Sequence, residues 1–367
     1  MKMLKTENAA SDAMPQKYCN IDFLRGIAAI VILLWHYQHF YFPEAGINPI
    51  AGRPEIQPFF DLFSWFYIYG ASAVQFFWII SGFVFFHAYE QRRNISIREF
   101  FSHRFSRLYP LHFITLCIIT ALQFISLAWL GKFQIYPLND IFHFFLNLFM
   151  ASHWGFQEGW SFNAPIWSIS IEILVYIMFF VFLKAFGVRL ITVFAWFLWS
   201  MLFYKNSQTV VFECAALFAL GGVVNQINRW LTIRFNRNIG IVIAAACAAG
   251  LSLCVYAGWG SAKAIQWGIF PALIWLAASL EANNISSNAI GISFGNITYS
   301  SYLLHAPMQI MAIMIMDGIL ESRAIISSPA FLVAYLFVVI IAAALTYKFV
   351  EIPLKIYCKK FLEKQLF

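Results

Sequence analysis

Residues 23–42 read Phe-Leu-Arg-Gly-Ile-Ala-Ala-Ile-Val-Ile-Leu-Leu-Trp-His-Tyr-Gln-His-Phe-Tyr-Phe. A run of about 20 apolar residues is what an α-helix needs to cross a hydrocarbon core of ~30 Å. Similar runs occupy residues 65–88, 108–130, 165–183, 239–257, 297–316 and 329–349, with shorter ones at 190–203, 210–224 and 265–280. Composition agrees, with only 11% charged and 61% hydrophobic residues. Soluble domains carry roughly 25% charged residues, so this chain cannot build a charged shell. Cys117, Cys214, Cys247 and Cys254 lie inside apolar runs, which excludes a disulfide-built secreted domain. The expected fold is an all-α polytopic membrane protein with about ten transmembrane helices.

The net charge of +7 is a question of sidedness in such a protein, and nucleic acid is not expected as a partner. Ten spans place 19 of the 24 Lys and Arg on one side, leaving Arg53, Lys132, Lys205, Lys263 and Arg323 on the other. By the positive-inside rule both termini are then cytoplasmic. Residues 141–150 are too short to cross and contain His143 and Asn147, which reads as an interfacial or re-entrant piece. Polar residues precede the first full-length run with no small-residue cleavage site, so no cleaved signal peptide is expected. The division is a cytoplasmic tail over 1–20, a membrane domain over 21–353 and a basic cytoplasmic tail over 354–367, the last attracted to anionic lipid.

Ionisable groups in hydrocarbon are costly and mark candidate sites. Arg25 and His36 stand eleven positions apart on one helix, within ~20° of the same face and about 16 Å apart along the axis. An imidazole shielded from water there suits a general base. Glu172 lies about 10–12 Å into its span if the span starts at the outer surface, a depth close to that of His36, and Ser168 shares its face. His305 precedes Pro307, and its structural alternative is to cap a carbonyl that the proline frees. Glu213 and His39 read as structural. His36 and His39 have no third ligand nearby in sequence, so no metal is expected.

The segment between the second and third runs carries Arg92, Arg93, Arg98, Arg104 and Arg107 without a lysine. Arginine grips phosphate bidentately where lysine is a point charge, so Arg93, Arg104 and Arg107 are candidate phosphate contacts. Before it, Ser81-Gly82 lets either another helix or a ligand approach the backbone closely.

Six stretches in order resemble the acyltransferase-3 family of integral membrane acyltransferases. They are Ile21-Asp22-Phe23-Leu24-Arg25-Gly26 with His36, Phe76-Phe77-Trp78-Ile79-Ile80-Ser81-Gly82-Phe83, and Arg104-Phe105-Ser106-Arg107-Leu108-Tyr109-Pro110. Trp167-Ser168-Ile169-Ser170-Ile171-Glu172, the stretch from Gly295-Asn296 through Tyr299-Ser300-Ser301-Tyr302 to His305, and Glu351-Ile352-Pro353 complete the set. Many members carry a second acid where this chain has Ile173. No fused periplasmic esterase-like domain is expected.

The resemblance implies an acyltransferase of the EC 2.3.1 type in the bacterial inner membrane. It implies transfer of an acyl group, most often acetyl, from cytoplasmic acyl-CoA to a hydroxyl of an extracytoplasmic glycan or lipid-linked glycan, with no permanently bound cofactor. The catalytic candidates are His36, Glu172, Arg25 and His305, and the donor-binding candidates are Arg104, Arg107, Arg93, Ser81 and Gly82. His36 is either the base or the acyl carrier, and Glu172 orients or charge-balances it. Trp154, Trp160, Phe156, Trp65 and Tyr67 are candidate sugar-stacking residues on the outer side, against the commoner aromatic belt. The alternative is a proton-coupled carrier of a small molecule or lipid-linked sugar, which predicts an internal repeat that is not visible and leaves the arginines idle. A sensor or scaffold without catalysis has no use for the intact Arg25/His36 pair.

Overall fold

The computed structural model describes residues 18–234, 237–259 and 261–364. Lys2, Lys5 and Lys17 of the charge bias, and most of the N-terminal tail, lie outside the described residues. Fourteen α-helices are joined by short 3-10 and π turns, with no strand among the described residues. They are α1 (Cys19–His36), α2 (Phe60–Tyr69), α3 (Ala73–Tyr89), α4 (Ile97–Leu130), α5 (Ile141–Leu148), α6 (Trp167–Phe186) and α7 (Leu190–Ser207). There follow α8 (Val210–Arg234), α9 (Arg237–Cys254), one-turn α10 (Ala262–Ala264), α11 (Phe270–Ala282), α12 (Asn288–Gly318), α13 (Pro329–Thr346) and α14 (Ile352–Lys364). Each of the apolar runs falls in helix. Eight helical stretches among the described residues are long and apolar enough to cross a membrane. The runs at 190–203 and 297–316 lie in α7 and α12, outside those eight. The chain is an all-α polytopic membrane protein.

α1 and α12 form the axis of the site, and they run parallel. Ser287 donates to the Cys19 carbonyl at 3.0 Å, Arg25 reaches Thr298 at 3.4 Å, and Gln309 donates to the His36 carbonyl at 2.9 Å. Parallel first and ninth spans require an odd number of crossings between them, which the ten-span reading supplies. Residues 141–150 do not cross: α5 has eight residues.

α3 and α8 approach until backbone meets backbone. A Cβ on Gly82 would overlap the Phe218 carbonyl, and one on Gly221 the Ile79 carbonyl. Only glycine permits that contact.

The arginine-rich segment is a short turn holding Arg92 and Arg93, followed by helix from Ile97. Ser96 caps α4 by accepting from the Glu99 amide at 3.0 Å, and the helix runs through Arg98, Arg104 and Arg107 into the apolar run. Hydropathy reads the charged turns as a loop because it scores burial and not capping. Arg104 and Arg107, three apart, consequently share a face.

Candidate active site

α1, α3, α4, α6 and α12 enclose a cavity of about 130 Å³. Arg25, Arg104 and Arg107 line it with Ser81, Ser168, Glu172, Tyr176, Thr298, Tyr299 and Tyr302, and Phe77, Trp78 and Phe85 are among its apolar walls. Arg25 is fixed by Asp22 at 3.0 Å and by the Thr298 hydroxyl. Arg104 lies 4.0 Å above the centre of the Phe85 ring and donates to the Tyr89 hydroxyl at 3.3 Å. Its buried Nε has no partner. Arg107 makes no hydrogen bond or ion pair among the described residues. Glu172 is the one carboxylate in the lining, and its Oε1 accepts from the Tyr176 hydroxyl at 2.6 Å. Three guanidinium groups thus face the cavity with one carboxylate in its lining, and Asp22 pairs with Arg25 outside that lining.

A second cluster stands further along the same two helices. The rings of His36 and His305 are 4.7 Å apart, and those of His36 and His39 are 5.0 Å apart. Nδ1 of His36 lies 3.0 Å from the Ile32 carbonyl and Nδ1 of His305 lies 3.3 Å from the Ser301 carbonyl. A carbonyl only accepts, so each Nδ1 carries the hydrogen and each Nε2 presents its lone pair. Gln309 spends its amide hydrogen on the His36 carbonyl, and its Oε1 faces Nδ1 of His39 at 3.3 Å. The third imidazole therefore takes the same tautomer. Nε2 of His305 is buried without a partner. No group of three His, Cys, Asp or Glu side chains among the described residues is arranged to hold a metal ion.

Tyr302 stands between the clusters. It lines the cavity, its ring lies 5.9 Å from that of His305, and its hydroxyl bonds the Pro165 carbonyl at 2.5 Å and the Ser168 hydroxyl at 2.8 Å. These bonds correct the depth assigned to Glu172. Ser168 is level with Tyr302, Glu172 is one turn from Ser168 on the arginine side, and His305 is about one turn from Tyr302 on the other. Glu172 thus lies roughly 10 Å short of His36 and His305 along the helix axes. A count from the outer surface misses this because the rise along α6 gives depth only from a known start. The segment leading into α6 ends in Ala164, Pro165 and Ile166, all buried. Within that segment the Asn163 amide donates to the Leu303 carbonyl at 3.1 Å, the very carbonyl that Pro307 deprives of its amide. Asn163, and not His305, does that capping.

The structure brings Arg25, Arg104, Arg107, Ser81 and Glu172 to one cavity and His36 with His305 to another place. It leaves two candidates aside. Arg93 donates to the carbonyls of Lys184 and Ala185 at 3.0 Å, closing the end of α6. Gly82 faces α8 and not the cavity. Of the outer aromatics, Tyr67 is buried with its hydroxyl on the Pro58 carbonyl, and cannot stack on a sugar. Trp154 donates its indole hydrogen to the Ser170 carbonyl at 2.8 Å, whereas Trp160, Phe156 and Trp65 are exposed. Sequence reasoning missed Tyr176, Tyr299, Tyr302 and Gln309. Tyr299 and Tyr302 lie within a stretch already singled out, and the four- and three-residue steps from Thr298 to Tyr302 to His305, with Tyr299 three before Tyr302, are the available signal.

Residues 20–348 match a protein family described as an acyltransferase domain, Acyl_transf_3. Protein 2 in the picA locus of Rhizobium radiobacter is 31% identical over 134 residues, which is 36% of this chain and 57% of that protein. Acyltransferase MdmB of Streptomyces mycarofaciens is 32% identical over 113 residues, 30% of this chain and 27% of that protein. The matches thus span 57% and 27% of the lengths of these relatives. No solved structure matches.

Proposed function

Since the chain belongs to this acyltransferase-3 family, we propose that it is a membrane O-acyltransferase that takes an acyl group, acetyl in the first instance, from cytoplasmic acyl-CoA. The acceptor is a hydroxyl of an extracytoplasmic glycan or lipid-linked glycan, and the membrane is the bacterial inner membrane with both termini cytoplasmic. The observation that carries the reading is the convergence of Arg25, Arg104 and Arg107 on a cavity with a single carboxylate. Acyl-CoA is a substrate here, an anion whose phosphates suit these guanidinium groups.

In this reading the arginines hold the donor from the side where CoA is found, with Ser81 and Glu172 beside its arm. The thioester then reaches past Tyr302 toward the imidazoles. His36 Nε2 takes the proton of the acceptor hydroxyl as its oxygen forms a bond to the acyl carbon. The carbon–sulfur bond breaks, the CoA thiolate leaves, and the imidazolium returns the proton to it. His305, 4.7 Å from His36, is placed to share or relay that proton. Arg25 ties the two sites together, being on the helix that carries His36.

The test is the mass of cell-surface glycans from strains with and without the gene, alongside CoA release by the purified protein with those glycans as acceptor. Loss of an acyl increment together with acceptor-dependent CoA release is the expected result. Unchanged glycans, with no CoA release on any surface fraction, overturn the reading.

A further inference from the structure

The geometry points to α14 as the second wall of the donor site, holding the phosphates at the nucleotide end of acyl-CoA through Lys355 and Lys359. This rests on the acyl-CoA reading above, and α14 lies beyond residue 348, where the family match ends.

The placement begins with Pro353. It has no amide to offer the Phe349 carbonyl, and the chain widens to a π turn over Tyr347–Glu351. Glu351, buried, accepts from the Ser300 hydroxyl at 2.6 Å, which pins the root of α14 to α12 beside the cavity residues Thr298 and Tyr299. Tyr299 in turn donates to the Leu108 carbonyl at 2.5 Å, fixing α12 against α4 next to Arg107. From that root α14 packs along α4.

Lys355 follows Glu351 by one turn. It lies within electrostatic reach of Arg107 and Arg104 as well as Glu351 and Lys359. Lys359, a turn further, is within reach of His103, as are Glu99 and Glu363. Three acids share this stretch: Glu351 accepts from the neutral Ser300 hydroxyl and lies within reach of Arg107 and Lys355, Glu363 meets Lys359 at a loose 3.7 Å, and Glu99 lies near His103. Lys355 is exposed and makes no ion pair among the described residues. The result is a file of cations leading out of the cavity, Arg107 and Arg104 within, then Lys355 and Lys359, the last two about 6 Å apart along the helix.

Acyl-CoA has the matching charge order: an uncharged pantetheine arm at one end, a diphosphate, and a ribose 3′-phosphate at the other. Buried guanidinium forks suit the phosphates nearest the cavity. Hydrated lysine ammonium groups suit the exposed end. The same lysines would also attract anionic lipid headgroups, so the shared chemistry is phosphate and the test must separate its sources.

The experiment measures binding of CoA, 3′-dephospho-CoA and pantetheine by calorimetry to the full chain in phosphatidylcholine nanodiscs. The double variant Lys355→Gln, Lys359→Gln should bind CoA about tenfold more weakly, with a smaller loss at high salt and pantetheine binding unchanged. It should also discriminate less between CoA and 3′-dephospho-CoA than the parent does. Lys355→Arg, Lys359→Arg should restore most of the affinity. Unchanged CoA affinity in the Gln variant, while Arg107→Ala weakens it, overturns the role of α14 and leaves the acyl-CoA reading standing. An equal loss for CoA and pantetheine marks disturbed packing and also overturns it. So does a defect seen only in nanodiscs containing phosphatidylglycerol, which would assign the lysines to lipid. A parent that binds none of the three ligands removes both readings together.

Discussion

The arginine cavity and the histidine cluster share α1 and α12 as common walls, and are built in opposite ways. At the arginine end, cations outnumber acids, and one guanidinium has no partner among the described residues although it faces the cavity. At the histidine end, no carboxylate takes part in the hydrogen bonds of the three rings, whose Nδ1 atoms all face acceptors. One end gathers guanidinium groups, the other presents imidazole lone pairs. In the proposed reaction, the eleven-residue rise of about 16 Å from Arg25 to His36 would let a long donor be anchored far from the bond that breaks. An arginine placed beside His36 would instead hold its proton off. The axial gap is the design element, and Tyr302 is its midpoint.

The comparison makes its largest demand on His36. His36→Ala should lower acyl transfer by roughly 10²–10⁴-fold, the range for loss of a general base, while CoA binding stays within about twofold of the parent. Turnover of purified protein in nanodiscs, with CoA calorimetry alongside, gives both numbers. If CoA binding fell in parallel with turnover, the two regions would be one site.

Arg107→Ala should do the reverse. Losing a charged hydrogen bond to phosphate costs ~1.5–3 kcal/mol, or about 10- to 150-fold in affinity, and Arg107→Lys should recover only part of it. At saturating donor the turnover of Arg107→Ala should approach that of the parent. A turnover that stays low however much acyl-CoA is added would move Arg107 from anchoring to chemistry.

Much of this division is legible in the sequence, and the part that is not has a physical cause. The charged residues stand out because hydrocarbon makes them expensive, so Arg25, His36, Glu172 and His305 could be chosen from the chain alone. The 104–107 spacing likewise carries over, because α4 puts both arginines on one face. Depth was not legible. Rise per residue gives distance along a helix only from a known start, and the sequence does not mark where α6 begins relative to its neighbours. Glu172 was therefore paired with His36 when it belongs with the arginines. Ser81-Gly82 shows the same limit. The helix approach is seen at Gly82, which meets α8, while Ser81 faces the cavity, and only packing decides which residue takes which side.

The smallest expected effect falls on the residue between the regions. Tyr302 donates to the Pro165 carbonyl, so it accepts from the Ser168 hydroxyl. Tyr302→Phe keeps the ring against His305 and removes both bonds, leaving a buried carbonyl and a buried hydroxyl without that partner. Such a loss costs about 1–3 kcal/mol, which appears first as a lower unfolding temperature. If Tyr302 only sets the distance between donor anchor and base, turnover should drop by about tenfold at most, because a shifted α6 start misplaces the thioester by a fraction of an ångström. CoA affinity should barely move, since none of the three arginines touches the phenol. Ser168→Ala, which removes one of the two bonds, should fall between the parent and Tyr302→Phe. Turnover losses as large as those of His36→Ala would make the phenol part of the chemistry. A tenfold loss of CoA affinity with turnover intact would make it part of the donor anchor. Either result would erase the boundary drawn here, whereas a modest turnover loss that follows the unfolding temperature through both variants would place it at Tyr302.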